Sequence, residues 1–153
     1  MIKDWEKRLE FHEGFREKPY YCTKGRQTIG IGHNLEAREF TPEELKAVGD
    51  WKKGITRNAA LMILRNDVNL CLKDLQKLGF WYYLDDERQY ALLDMCFQMG
   101  YEGLCKFRKM LEGIRTKNYA EAEKQCLNSQ YAMQTPKRAK RIAKLIRCAR
   151  WEI

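Results

Sequence analysis

Across its first 33 residues the chain changes its apolar period from that of a helix to that of a strand, and an acid stands at the junction. Ile2, Trp5, Leu9 and His12 recur at helical spacing. A first helix is therefore expected to end at Glu13, with Gly14 stopping it. The alternation in Thr28-Ile29-Gly30-Ile31-Gly32 reads as a strand with small residues on one side. Glycines in such a strand let another backbone or a ligand approach closely. Lys24-Gly25 is a turn signal between Tyr20-Tyr21-Cys22 and Gln27-Thr28-Ile29, so a short hairpin is expected there.

The same stretch carries chemistry. Eight residues separate Glu13 from Cys22, and five separate Cys22 from Thr28. One acid, one polarisable sulfur and one hydroxyl thus fall in a single helix-to-strand segment. Hydrolysis of a glycosidic bond needs a proton for the departing oxygen and help for a water or nucleophile at the anomeric carbon. A glutamic acid delivers that proton when its surroundings keep it protonated. The second group must lie across a sugar ring, a separation that a helix-to-strand layout provides. Taken singly, each residue has a plainer reading: a solvated acid, a small buried apolar residue and a good strand former. The combination, at fixed spacing with glycine-rich flanks, points to glycosidic-bond chemistry.

These residues resemble the phage-type lysozyme family, in which Glu, eight residues, Asp or Cys, five residues and Thr form the motif. Glu13, Cys22 and Thr28 fill it, within the runs HEGFREKPYYC and TIGIGH. The likeness continues through Asp94-Met95-Cys96-Phe97-Gln98-Met99-Gly100 and Gln134-Thr135-Pro136-Lys137-Arg138-Ala139-Lys140-Arg141, nearly the whole chain in order. The resemblance implies an α+β, mostly helical fold of two lobes. A small antiparallel sheet would lie in the N-terminal lobe (about 1–55), followed by a connecting helix (56–79) and a helical C-terminal lobe (80–153). It implies a muramidase that cuts the β-1,4 bond between N-acetylmuramic acid and N-acetylglucosamine. Glu13 would be the general acid, Cys22 the second catalytic group, and Thr28 a holder of the attacking water. His33 would pair with Asp67, and Arg138 would reach towards Glu13, as structural support. Asn34, Phe97 and Gln98 would contact saccharide. Met110 and Gln125 stand at sugar-contact positions with different side-chain types. Tyr131 stands where the family often has Trp, and would stack on a sugar ring or on the core.

Cysteine at the position of the more familiar aspartate leaves two routes open. A thiol with an ordinary pKa near ~8.5 is mostly protonated at neutral pH. Cys22 would help position water, giving inversion, or would attack carbon directly, giving retention. The family resemblance favours water attack with inversion. A non-catalytic wall binder on the same fold is the rival reading, and a lytic transglycosylase a second.

The 153 residues suit one domain, or two small lobes sharing a core. No run near 20 apolar residues occurs and Met1–Glu6 lacks an apolar signal core, so no membrane span or signal peptide is expected. A cytoplasmic protein whose target is peptidoglycan needs another agent for release. For a phage lysozyme that functional partner would be a holin. A monomer is expected. The net charge of +8 gives general attraction to polyanions, including an anionic wall. The six cysteines show no CxxC pair and, in a cytoplasmic chain, read as free thiols, with Cys71, Cys96 and Cys126 as core fillers. His12 and His33 are the two histidines and no ligand cluster surrounds them, so neither metal nor cofactor is expected.

Further along, Thr41-Pro42-Glu43-Glu44 is a helix start, and a loop is expected over Gly49–Gly54. Thr56 would cap a long helix whose apolar stripe runs from Ala59 to Leu75 and which Gly79 would end. Asp85-Asp86-Glu87 opens another helix, with acids at its positive end. Short helices are expected around Phe107–Ile114 and Tyr119–Cys126. The C-terminal segment is a basic amphipathic helix, carrying Lys137, Arg138, Lys140, Arg141, Lys144, Arg147 and Arg150 opposite Ala139, Ile142, Ala143, Ile146 and Ala149. Such a helix is usually packed on a core, though the pattern also suits membrane surfaces or nucleic-acid phosphates. Specific nucleic-acid binding is not expected, because no recognised motif is present.

Overall fold

The computed structural model describes residues 2–153. Eight helices and one small sheet are found among them. The chain forms two compact units. Residues 6–70 make up one. Residues 71–153, together with the N-terminal segment through Trp5, make up the other.

The unit of residues 6–70 holds the sheet. Helix α1 (Trp5–Glu13) ends where expected: Gly14 adopts a φ of 71° and its N–H donates to the Glu10 carbonyl at 2.7 Å. Strands β1 (Arg16–Tyr21), β2 (Gln27–Gly30) and β3 (His33–Asn34) form an antiparallel sheet in that order, with the Lys24-Gly25 turn joining the first two. Tyr20 pairs with Thr28, and Thr28 in turn with Asn34. β1 is an edge strand, which is where Pro19, lacking an N–H, can be accommodated. The single strand read over 28–32 is shorter than expected. Gly30 and Gly32 both take positive φ, so the chain turns through Ile31-Gly32 and re-enters the sheet as β3.

Helix α2 (Pro42–Val48) begins with the predicted cap: the Thr41 hydroxyl accepts from the Glu44 N–H, and the Glu44 carboxylate accepts from the Thr41 N–H. The Gly49–Gly54 loop contains a 3-10 turn at Trp51–Lys53. Helix α3 (Arg57–Leu75) is capped by Thr56, whose hydroxyl accepts from the Ala59 N–H at 3.1 Å. Its residues Ala59, Ala60, Ile63, Leu64 and Val68 are buried, as are Leu9, Ile29, Ile31 and Ile55. This is the core beneath the sheet. α3 stops at Leu75, before Gly79, because the next turns tighten to Lys77 N–H to Asp74 and Leu78 N–H to Leu75.

The second unit is helical. Asp85 caps α4 (Asp86–Cys105), which Gly100 interrupts at φ 79° and ψ 161°, a break the apolar pattern does not announce. α5 (Arg108–Arg115), α6 (Tyr119–Leu127), α7 (Gln130–Gln134) and α8 (Pro136–Cys148) follow, α7 being unanticipated. The inner face of α8 carries the expected Ala139, Ile142, Ala143 and Ile146 into the core. Arg138 departs from the basic face. It is buried, and its Nε donates to Asp94 Oδ1 at 2.8 Å, while the Tyr90 hydroxyl donates to the other Asp94 oxygen at 2.7 Å. Arg88 lies over the Tyr119 ring and donates to the Ile146 and Arg147 carbonyls near the end of α8. All six cysteines are free thiols. Cys96 and Cys126 are buried, whereas Cys71 is only half-buried. Among the described residues no helix is long and apolar enough to cross a membrane.

Candidate active site

Glu13 is the last residue of α1, and its side chain is half-buried. The Gly14 stop turns the chain directly into β1, so the acid stands beside the sheet. Its carboxyl group lies against the backbone of Gly32. A β carbon at that position would fall 2.8 Å from Glu13 Cδ and 2.9 Å from Oε1. Only glycine leaves this space, and the φ of 67° at the β2–β3 turn independently suits it.

Cys22 follows β1 and is tied into the hairpin turn. Its N–H donates to the Arg26 carbonyl at 2.9 Å, and its carbonyl accepts from the Gly25 N–H at 2.8 Å. The sulfur is half-exposed. Burial pushes the thiol up, but hydrogen bonds from the backbone of Arg26 and Lys24, from the Thr28 side chain and from its own N–H outweigh this. The net displacement is downward from the ordinary value. Thr28, buried in β2, donates its hydroxyl to the Arg26 carbonyl at 2.9 Å. A hydroxyl has one proton, so it serves either that carbonyl or the sulfur as anion. Cys22 and Thr28 are thus brought together as the motif implies.

Tyr20 belongs to the same group and was missed by sequence reasoning. It pairs with Thr28 across β1 and β2, and directly opposed residues share a sheet face. The Arg16 guanidinium covers its ring at 4.3 Å. Burial raises the phenol pKa most, and the nearby Glu13 charge raises it further. Arg16 opposes this, and Cys22 adds a small upward push. Tyr20 is therefore within electrostatic reach of both Glu13 and Cys22. The signal was available only as strand register: seven intervening residues and one tight turn set Tyr20 opposite Thr28.

His33 and Asp67 meet as expected, Nδ1 to Oδ2 at 2.7 Å, and the other ring nitrogen of His33 is 3.2 Å from the Arg38 carbonyl. The pair is one end of a larger network. Arg38 donates to Asp67 at 2.8 Å and to both Glu44 oxygens at 2.7 and 2.9 Å, and Asn66 adds a further bond to Glu44 at 3.0 Å. Burial pushes the Glu44 carboxyl up, but Arg38, the Thr41 N–H and Asn66 together hold it at about 2. The Asn34 side-chain Oδ1 accepts from the Glu36 and Ala37 N–H groups, so it caps the turn after β3.

In the second unit Phe97 and Gln98 are half-buried on α4. Gln98 Nε2 lies 3.4 Å from the Thr135 hydroxyl, and its Oε1 is buried. Met110 and Gln125 share a pocket of about 470 Å³ with Lys106, Phe107, Arg108, Lys109, Asn128 and Ser129. Met110 is wholly buried and forms floor rather than rim, while Gln125 donates to Glu121 at 2.8 Å. Tyr131 packs edge-on against Phe107 in the core, and burial pushes its phenol up. Among the described residues no group of three or more His, Cys, Asp or Glu side chains is placed to hold a metal ion.

The phage lysozyme family model matches residues 10–150. The chain is 29% identical over 157 residues to probable T4-type lysozyme 2 of Dictyostelium discoideum, covering 93% of this chain and 92% of that protein. It is 28% identical to probable T4-type lysozyme 1 of the same organism, covering 95% of each. It is also 32% identical over 152 residues to the pre-baseplate central spike protein Gp5 of Enterobacteria phage T4, covering 90% of this chain but 26% of that protein.

Proposed function

The chain belongs to the phage lysozyme family, and from that premise we propose that it cuts peptidoglycan with Glu13 as its general acid. It is a glycoside hydrolase of the lysozyme type. The observation that carries the finer reading is the grouping within one unit: the Glu13 carboxyl seated on Gly32, and the Cys22–Thr28 pair on the adjoining hairpin.

In this reading Glu13 gives its proton to the oxygen linking N-acetylmuramic acid to N-acetylglucosamine as the bond to the anomeric carbon breaks. A water held by Thr28 and Cys22 adds to that carbon from the opposite face, gives up a proton to the Cys22 thiolate and leaves the configuration inverted. Tyr20 and Arg16 wall the same side of the sheet. Asn34, Phe97, Gln98 and Gln125 contact sugar, with Met110 shaping the pocket beside Gln125. His33 and Asp67 support the site within the unit that holds Glu13, and Arg138 supports α4 through Asp94. The enzyme is made in the host cytoplasm as a monomer, and a holin releases it to the wall at the end of a phage cycle.

The test is digestion of purified peptidoglycan with mass spectrometry of the fragments and NMR of the first-formed anomers. Reducing-end muramic acid with inverted configuration supports the reading. Retention would assign the attack to the Cys22 sulfur, and anhydro-muramic ends would replace hydrolysis by transglycosylation.

A further inference from the structure

We propose that Gly32 is a positioning residue for the proton donor: its missing side chain is the space that the Glu13 carboxyl occupies. The inference rests on Glu13 being the general acid. A β carbon at Gly32 would lie 2.8 Å from both Cγ and Cδ of Glu13 and 2.9 Å from Oε1. Carbon atoms in contact prefer about 3.5–4.0 Å. The added methyl would therefore displace the acid by about 1 Å.

What gives way distinguishes this glycine from the others. Gly30, at φ 68°, faces Ala60 and Ile55, and a β carbon there would press on the core. Gly25 and Gly49, at φ 73° and 54°, have nothing within 4 Å. At Gly32 the obstructing atoms are the far end of a flexible side chain, so the fold can absorb a methyl by moving the carboxyl. The cost then falls on proton delivery. A misplacement near 1 Å at a reacting group can cost about 10²-fold in rate. Substrate binding, made by other residues, is left alone.

The experiment compares wild type with Gly32→Ala, Gly49→Ala and Glu13→Gln as full-length chains on soluble peptidoglycan fragments, with melting curves to confirm folding. Gly49→Ala also places a methyl at a positive φ, but without touching Glu13. Gly32→Ala is expected to lose about 100-fold in kcat with KM within about threefold of wild type, while Gly49→Ala keeps its kcat. A normal kcat in Gly32→Ala beside an inactive Glu13→Gln overturns the proposal and leaves the function standing. An equal loss in Gly49→Ala, or a loss confined to KM, also overturns it. An active Glu13→Gln removes the general-acid reading and this inference with it. If Gly32→Ala does not fold, Gly32→Ala/Glu13→Ala decides: recovered folding supports competition for one space, and continued failure contradicts it.

Discussion

Glu13 and Glu44 are glutamates of the same unit, each at a helix end, and their surroundings assign them opposite work. Glu44 is wholly buried in the first turn of α2, where helix N–H groups favour a carboxylate, and Arg38, Asn66 and Thr41 bond to it. Held at about 2, it is an anion at any working pH. Glu13 closes α1 at the opposite pole, half-buried, with glycine backbone against its carboxyl. A catalyst must be reachable by substrate and able to gain and lose its proton. A clamp must do neither. The contrast shows that the identity of an acid says little, and that the groups around it decide between chemistry and architecture.

The largest effect that sharpens this contrast is on rate. Glu13→Gln keeps shape and removes the proton, so fragment release should fall by about 10²–10⁴-fold while the melting temperature stays near wild type. Glu44→Gln should do the reverse. Removing one partner of a buried ion pair costs about 3–5 kcal/mol, read by urea unfolding, with activity per folded molecule preserved. An inactive but stable Glu44→Gln would break the comparison.

Acid should expose the same clamp. The folded pKa of Glu44 is depressed from 4.5 to about 2. Its stabilisation is therefore complete above the unfolded value and is lost as the pH falls through that interval, by about 3 kcal/mol in all. Glu44→Gln should lack that component of the acid loss; a wild-type-like acid slope in the variant would deny it.

A milder case lies in the second unit, where Asp94 is clamped by Arg138 and Tyr90. Tyr90→Phe should cost about 1–3 kcal/mol, since it leaves Arg138 in place. The smallest effect concerns Cys22. Its alkylation rate against pH should report a thiol below the ordinary range, and Thr28→Val should move that midpoint upward. No change on losing Thr28 would remove it from the sulfur's surroundings.

Local chemistry made much of this legible in the sequence. Gly14 ending α1, the Lys24-Gly25 turn, the Thr41 and Thr56 caps and the acidic start of α4 each act over a few residues. The His33–Asp67 pair was legible only through the family resemblance, because 34 residues separate its members. What could not be read depends on packing. Tyr20 joins Glu13 and Cys22 through strand register, and Arg38 reaches Glu44, Asp67 and the Asn66 network through the fold of α2 against α3. The positive φ values at Gly30 and Gly32 broke a period that looked like one strand. Arg138 carries a side chain that suits a surface, yet it is buried, and Met110, which stands at a sugar-contact position, is wholly buried. The glycines were expected to admit a close neighbour. That neighbour, at Gly32, is the acid itself.

The most direct test of the account is digestion of purified peptidoglycan in ¹⁸O-labelled water by wild type and Glu13→Gln side by side. One ¹⁸O is expected at each new reducing-end muramic acid from wild type, and almost no new ends from a folded Glu13→Gln. Unlabelled anhydro ends, or equal release by the two proteins, would contradict it.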